Sequence, residues 1–99
     1  RSKSKGDEAL AAIKERVPTA KADFMTLDLG SMQSIKGFAT AFLQRSLPLH
    51  ILLNNAGVMA TPFTLTAEGI ESQFGINHIG HFLLTKLLLP VLEKSAPSR

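Results

Sequence analysis

Leu49-His50-Ile51-Leu52-Leu53-Asn54-Asn55-Ala56-Gly57 is the stretch that decides how this chain folds. Its first five residues form a near-continuous apolar run of strand length. Such runs suit a parallel strand covered on both faces, because neither face has to meet water. Asn54 then begins an abrupt change to polar and small residues, which reads as the carboxyl end of the strand passing into a loop. Ligands of open parallel sheets bind at strand carboxyl ends. Two readings of Asn54–Gly57 stand on these residues alone. Asn and Gly are ordinary turn residues, and Ala and Gly also let main chain lie close to a flat ring or a sugar.

Upstream, Pro48 closes the connection from the clearest amphipathic helix in the chain. Met32, Ile35, Phe38, Ala39, Phe42 and Leu43 mark its stripe, and Ser31 is placed to cap it. Gly30 separates that helix from a predicted strand, Ala22–Leu29, with Phe24, Met25, Leu27 and Leu29 as its apolar residues. Earlier still, Ser4 is the expected N-cap of a first helix, with Asp7 and Glu8 in its first turn, Leu10, Ile13 and Val17 at helical spacing, and Pro18 after it.

Downstream, a loop runs through Pro62, Thr66 opens a turn, and helical periodicity extends from about Ile70 to Lys94. From Phe82 to Leu92 it is apolar nearly all round, which predicts burial on more than one side. Pro90 is expected to kink or shorten it. The order helix, strand, helix, strand, helix predicts an α/β fold with parallel strands, and residues 1–99 read as part of one domain.

Composition narrows the function classes. The chain of 99 residues is 44% hydrophobic with six Phe, enough for a packed core. It contains no cysteine, which excludes disulfides, thiol catalysis and Cys-ligated metal from this stretch. Arg1, Lys3, Lys5, Lys14, Arg16 and Lys21 gather most of the positive charge near the start. Asp7, Glu8 and Glu15 interrupt them, so the cluster reads as a solvated helix face and not as a nucleic-acid footprint. The Phe82–Leu92 run falls short of the ~20 residues that a membrane-spanning helix needs.

Asp28, at the end of the first predicted strand, has two readings. It can accept a hydrogen bond from an exocyclic amine such as that of adenine, or it can help cap the helix that starts near Ser31. His78 and His81, three apart, lack a third ligand nearby, so no metal site is expected. His50 is read as structural. Gly75 and Gly80 each cost a helix about 1 kcal/mol relative to Ala. They point either to close approach by another element or a cofactor, or to an irregular helix between Phe74 and Asn77.

The order and spacing of two motifs, Asn54-Asn55-Ala56-Gly57 after a hydrophobic strand and Asn77-His78-Ile79-Gly80-His81-Phe82 on a helix, resemble the short-chain dehydrogenases/reductases. Thr66-Ala67-Glu68-Gly69-Ile70-Glu71 and the Asn77 motif look most like the retinol-dehydrogenase-like group. The resemblance covers essentially the whole chain. It implies a partial Rossmann-type, doubly wound parallel sheet and an oxidoreductase that interconverts an alcohol and a carbonyl. A small-molecule substrate of retinoid, steroid or lipid type is compatible with it.

By the same resemblance, Asp28 bonds the adenine ring with Leu29 beside it. Asn54, Asn55, Ala56 and Gly57 line the adenosine ribose and steady the sheet. Asn77 is the catalytic Asn, whose main chain holds a water in a proton relay. Arg1 matches a basic residue that pairs with the 2′-phosphate of NADP, which makes NADP the expected cofactor ahead of NAD; as the first residue it also reads as a free end. A guanidinium suits a phosphate because its fork can meet two oxygens. The helix Phe82–Leu92 matches one that often packs across a homodimer interface.

The resemblance also places the glycine-rich phosphate loop before Arg1 and the catalytic Ser, Tyr and Lys beyond Arg99. The chain has no Tyr. It therefore reads as an internal piece, inactive alone. A non-catalytic dinucleotide-binding or regulatory protein of the same fold is the alternative. An extended-branch epimerase is disfavoured, since that branch usually shows another small-residue motif at Asn54–Gly57.

If the resemblance holds, the two strands are the third and fourth of a sheet ordered 3-2-1-4-5-6 and are not neighbours. About 14 Å would separate them at normal spacing. Either that gap stays open or the two strands pair directly, and direct pairing is the expectation for these residues folding alone. Poor solubility and marginal stability are expected of the chain by itself.

Overall fold

The computed structural model describes residues 2–99. Arg1, and with it the phosphate contact assigned to it above, lies outside the described residues. Helix α1 spans Lys3–Arg16, α2 Met32–Gln44, the short α3 Ser72–Phe74 and α4 His81–Lys94, with a π-helical stretch Gly75–Gly80 joining α3 to α4.

The core lies between α2 and α4. Ile35 and Ala39 of α2 are buried against Leu84 and Leu88 of α4, and Phe38, Phe42, Leu83 and Leu87 pack around them. Ser31 caps α2 as expected, its hydroxyl oxygen accepting from the Ser34 N–H at 3.2 Å.

Helix α4 reaches Lys94, as its periodicity predicts, but departs from expectation in its burial. It runs through Pro90 to Lys94, so the proline does not end it early. Its burial follows one stripe, Leu84, Leu88 and Leu92, while Phe82 and Leu89 stay exposed; α2 covers one face and no described element covers the opposite one. From Ser72 to Lys94 the helical run is 23 residues, longer than the Phe82–Leu92 run alone. By length and composition it could cross a bilayer, although a soluble core helix passes the same test, and Leu84 and Leu88 pack here as core residues.

Helix α1 begins two residues before the predicted start. Ser2 is its N-cap and makes no side-chain cap bond. Ser2 O accepts from the Gly6 N–H at 3.1 Å, so the first turn is already closed before Asp7 and Glu8. The Lys3 ammonium pairs with Asp7 at 3.1 Å. Gly6 is the buried residue of α1 because it meets Phe24; a Cβ there would lie 2.5 Å from the ring.

The largest correction concerns the strands. The runs 22–29 and 49–53 lie outside any helix, but no strand ladder forms among the described residues, and the two do not pair with each other. An extended segment cannot satisfy its own N–H and C=O groups and needs a neighbour on each edge. Residues 49–53 find part of one. Leu52 N–H donates to Arg99 O at 2.9 Å, and Arg99 N–H donates to His50 O at 2.8 Å. One residue bonded to two that flank its opposite number is the repeat of a parallel pair. Leu49 and Leu52 pack against the α2–α4 core, whereas Ile51 and Leu53 are 70% and 80% exposed.

Candidate functional site

Asp28 is built into the turn that launches α2. Its Oδ1 accepts from the Gly30 N–H at 2.9 Å, its carbonyl from the Ser31 N–H at 3.2 Å, and its own N–H donates to Ser34 Oγ at 2.9 Å. The capping reading of Asp28 is thus visible in the geometry. Leu29, the next residue, packs on the core and presents its carbonyl to Gly80 so closely that a Cβ on Gly80 would overlap it.

The Asn54–Gly57 segment is exposed throughout. Asn54 Nδ2 donates to Thr85 Oγ1 at 2.9 Å, tying the segment to α4. Asn55 N–H donates to Leu53 O at 3.0 Å, which tightens the bend. A Cβ on Gly57 would come to 3.3 Å from Asn77 Oδ1. The absent side chain therefore lets the Asn77 amide in.

Asn77 uses that room. Its Oδ1 accepts from the Val58 N–H at 2.8 Å and its Nδ2 donates to Val58 O at 2.7 Å. A side-chain amide that meets both backbone groups of one residue substitutes for a strand partner and fixes the loop. Gln73, one turn earlier on the same helical face, accepts from the Ala60 N–H at 3.0 Å. Ala60 is held there at φ 52°, in the left-handed region. The sequence reading missed Gln73, although a polar pair at i, i+4 facing a loop of small residues was the available signal.

Thr66–Glu71 forms the buttress between this loop and α2. Glu68 Oε1 accepts from the Met32 N–H at 2.7 Å, so a carboxylate from a distant turn caps the first turn of α2. Glu71 accepts from the Gln73 and Phe74 N–H groups, both at 2.9 Å, capping α3. These bonds, Gln73 first, hold its carboxyl below the ordinary carboxylate range. The cap is therefore complete above that range and is lost only as pH falls through the lowered value.

Both readings of Gly75 and Gly80 hold together. A Cβ on Gly75 would lie 2.5 Å from Thr66 Cγ2, and Gly80 is pressed onto Leu29. Between them the helix is irregular, winding as a π-helix over Gly75–Gly80. Such single-turn expansions occur often at functional sites. Of the two histidines on it or beside it, His78 stacks on Phe74 with centroids 5.3 Å apart. His81 turns its Nδ1 to Asn77 O at 2.9 Å. Among the described residues no group of three metal-ligating side chains converges.

Asp28, Ser31, Val58, Thr66, Ser72 and Ile76 are among the residues that line one cavity of about 360 Å³. Asp28 and the loop that follows Asn54–Gly57 thus face the same space. A larger gap of about 510 Å³ opens at the far end, between Leu43, Pro48, Pro90 and Lys94, and holds none of these residues.

This arrangement has counterparts. The model of the short chain dehydrogenase family matches residues 1–99, the whole sequence. The chain belongs to that family. The short-chain dehydrogenase chain is 44% identical over 99 residues to the WW domain-containing oxidoreductase of Gallus gallus, covering all of itself and 24% of that protein. It is 47% identical over 95 residues to retinol dehydrogenase 12 of Mus musculus, covering 96% of itself and 30% of the relative. It is 48% identical over 96 residues to the chloroplastic short-chain dehydrogenase TIC 32 A of Brassica napus, with 97% and 30% covered. The chain thus spans less than a third of the length of these relatives. A crystal structure of an uncharacterised protein from Mycobacterium paratuberculosis aligns at TM-score 0.72 and 41% identity over 91% of the chain and 30% of that structure. The Rossmann-type fold class follows from the family and this neighbour, even though the strands of these residues lack their ladders.

Proposed function

We propose that this chain carries the adenosine-binding side and one relay residue of an NAD(P)-dependent oxidoreductase acting on an alcohol or carbonyl. The reading is supported above all by one observation: Asn77 clasps Val58, and Val58 borders the same cavity as Asp28. A dinucleotide lying there would meet an acceptor carboxylate on one side and bare main chain at Ala56–Gly57 on the other. Leu29, next to Asp28, would flank the adenine, while Asn54 and Asn55 hold the bend that presents this main chain. When bound, the nicotinamide ring gives or takes hydride. The residues of this chain bind and orient the cofactor, and the Asn77 main chain holds a water of the proton relay. NADP is preferred over NAD through Arg1. The names of the relatives, retinol dehydrogenase 12 and polyprenol dehydrogenase, favour an apolar alcohol or its carbonyl as substrate. The exposed Phe82 and Leu89 on α4 suit a homodimer contact.

The test is a titration of the full-length protein with NADPH and NADH, followed by nicotinamide fluorescence. Both should bind, NADPH more tightly, and Asp28→Ala should weaken both about tenfold, the value of roughly one charge-assisted hydrogen bond. Equal affinity for the two would remove the role of Arg1. Absence of binding by either would overturn the reading.

A further inference from the structure

His81 has no part in the scheme above, yet its ring sits on the carbonyl of Asn77, the residue whose main chain that scheme gives the relay water. In an uninterrupted α-helix the His81 N–H would donate to Asn77 O, four residues back. Here that N–H donates to His78 O, three residues back, where the π-helical stretch gives way to α4. The Asn77 carbonyl loses its regular main-chain donor at this position, and the His81 ring meets it through Nδ1 at 2.9 Å. A carbonyl only accepts, so the contact requires a proton on Nδ1, and Nε2 becomes the acceptor of the neutral ring.

We infer that His81 is a positioning residue: its Nδ1–H fixes the direction of the Asn77 carbonyl and takes one of its two acceptor positions, so that the other faces the relay. The inference rests on the reading of Asn77 proposed above. The side chain of Asn77 cannot do this alone, because both ends of its amide are engaged by Val58. The register shift follows from backbone packing, since Gly75 is pressed by Thr66 and Gly80 by Leu29. A histidine one turn after Asn77 supplies a side-chain donor to that carbonyl from the helix itself.

The test uses the full-length protein and two substitutions. His81→Leu removes the donor. His81→Asn keeps one, because the amide nitrogen of Asn can occupy the place of ring Nδ1. In His81→Leu, kcat should fall about tenfold, the worth of one well-placed hydrogen bond, with KM for the dinucleotide unchanged. His81→Asn should recover most of kcat. Unchanged kcat in His81→Leu, or equal loss in both variants, overturns the role of His81 while leaving dinucleotide binding and turnover in place. A second readout does not depend on turnover: ¹⁵N-histidine spectra of the full-length protein should show His81 as the Nδ1–H tautomer. A neutral Nε2–H ring would overturn the inference even if the protein proves to bind dinucleotide. Failure to bind any dinucleotide, with the Nδ1–H ring present, would instead count against the functional reading alone.

Discussion

The α2–α4 pair and the 49–53 run beside it are both strongly apolar, and they end up differently covered. Ile35 of α2 is 0% exposed and Leu88 of α4 is 2% exposed, while Leu53 in the 49–53 run is 80% exposed. The difference lies in the backbone. A helix pairs its own N–H and C=O groups and needs a neighbour only for its side chains. An extended segment needs neighbours for both. The helices therefore complete their backbone bonding within these residues, although Phe82 and Leu89 of α4 stay exposed. The run 49–53 found one rung, to Arg99, and the run 22–29 found a helix to lean on at Gly6.

If that contrast is right, damage to the helical pair should cost most. Ile35→Ala removes a fully buried side chain from the centre of the α2–α4 contact. It should destabilise the full-length protein by about 3 kcal/mol, the usual cost of a core cavity, read as a shift in the urea midpoint. A loss below about 1 kcal/mol would mean that the pair is not the structural centre. Next comes the joint between the helices and the extended runs. Gly80→Ala places a methyl group onto the Leu29 carbonyl and should cost about 2 kcal/mol. The higher helix propensity of Ala would stabilise the variant if the contact were loose, so the sign of the change decides the matter.

The same contrast explains how much could be read without coordinates. Helix α2 was legible down to its cap, because Ser31 and the Ile35–Ala39 stripe are local signals. The motif spacing of Asn54–Gly57 and Asn77 pointed to one another, and the structure brings Gly57 and the Asn77 amide together. The start of α1 was misplaced because Ser2 and Ser4 offer the same capping chemistry two residues apart. The strand runs were recognised as extended segments, but their pairing was wrong. Pairing depends on which other segments are within reach, and nothing in residues 22–29 or 49–53 encodes that. Gln73 and His81 escaped because their partners, the Ala60 N–H and the Asn77 carbonyl, are backbone groups. Sequence alone does not show that a π-helical stretch leaves the His81 ring, and not its N–H, on that carbonyl.

The smallest expected effect tests the extended side of the comparison directly. Leu53 is largely exposed here, so Leu53→Ser in the 99-residue chain should change stability by less than about 0.5 kcal/mol, as surface substitutions usually do. It should also improve solubility, because it removes apolar surface from an uncovered patch. In the full-length protein a residue at a buried parallel-strand position would behave otherwise, with a loss of about 2 kcal/mol from burying a hydroxyl in place of an aliphatic side chain. A difference between the two measurements would locate the missing cover of the 49–53 run outside these 99 residues. Equal and negligible effects would mean that this face is solvent-exposed in the whole protein as well, and the reading of Leu49–Leu53 as a doubly covered parallel strand would then fail.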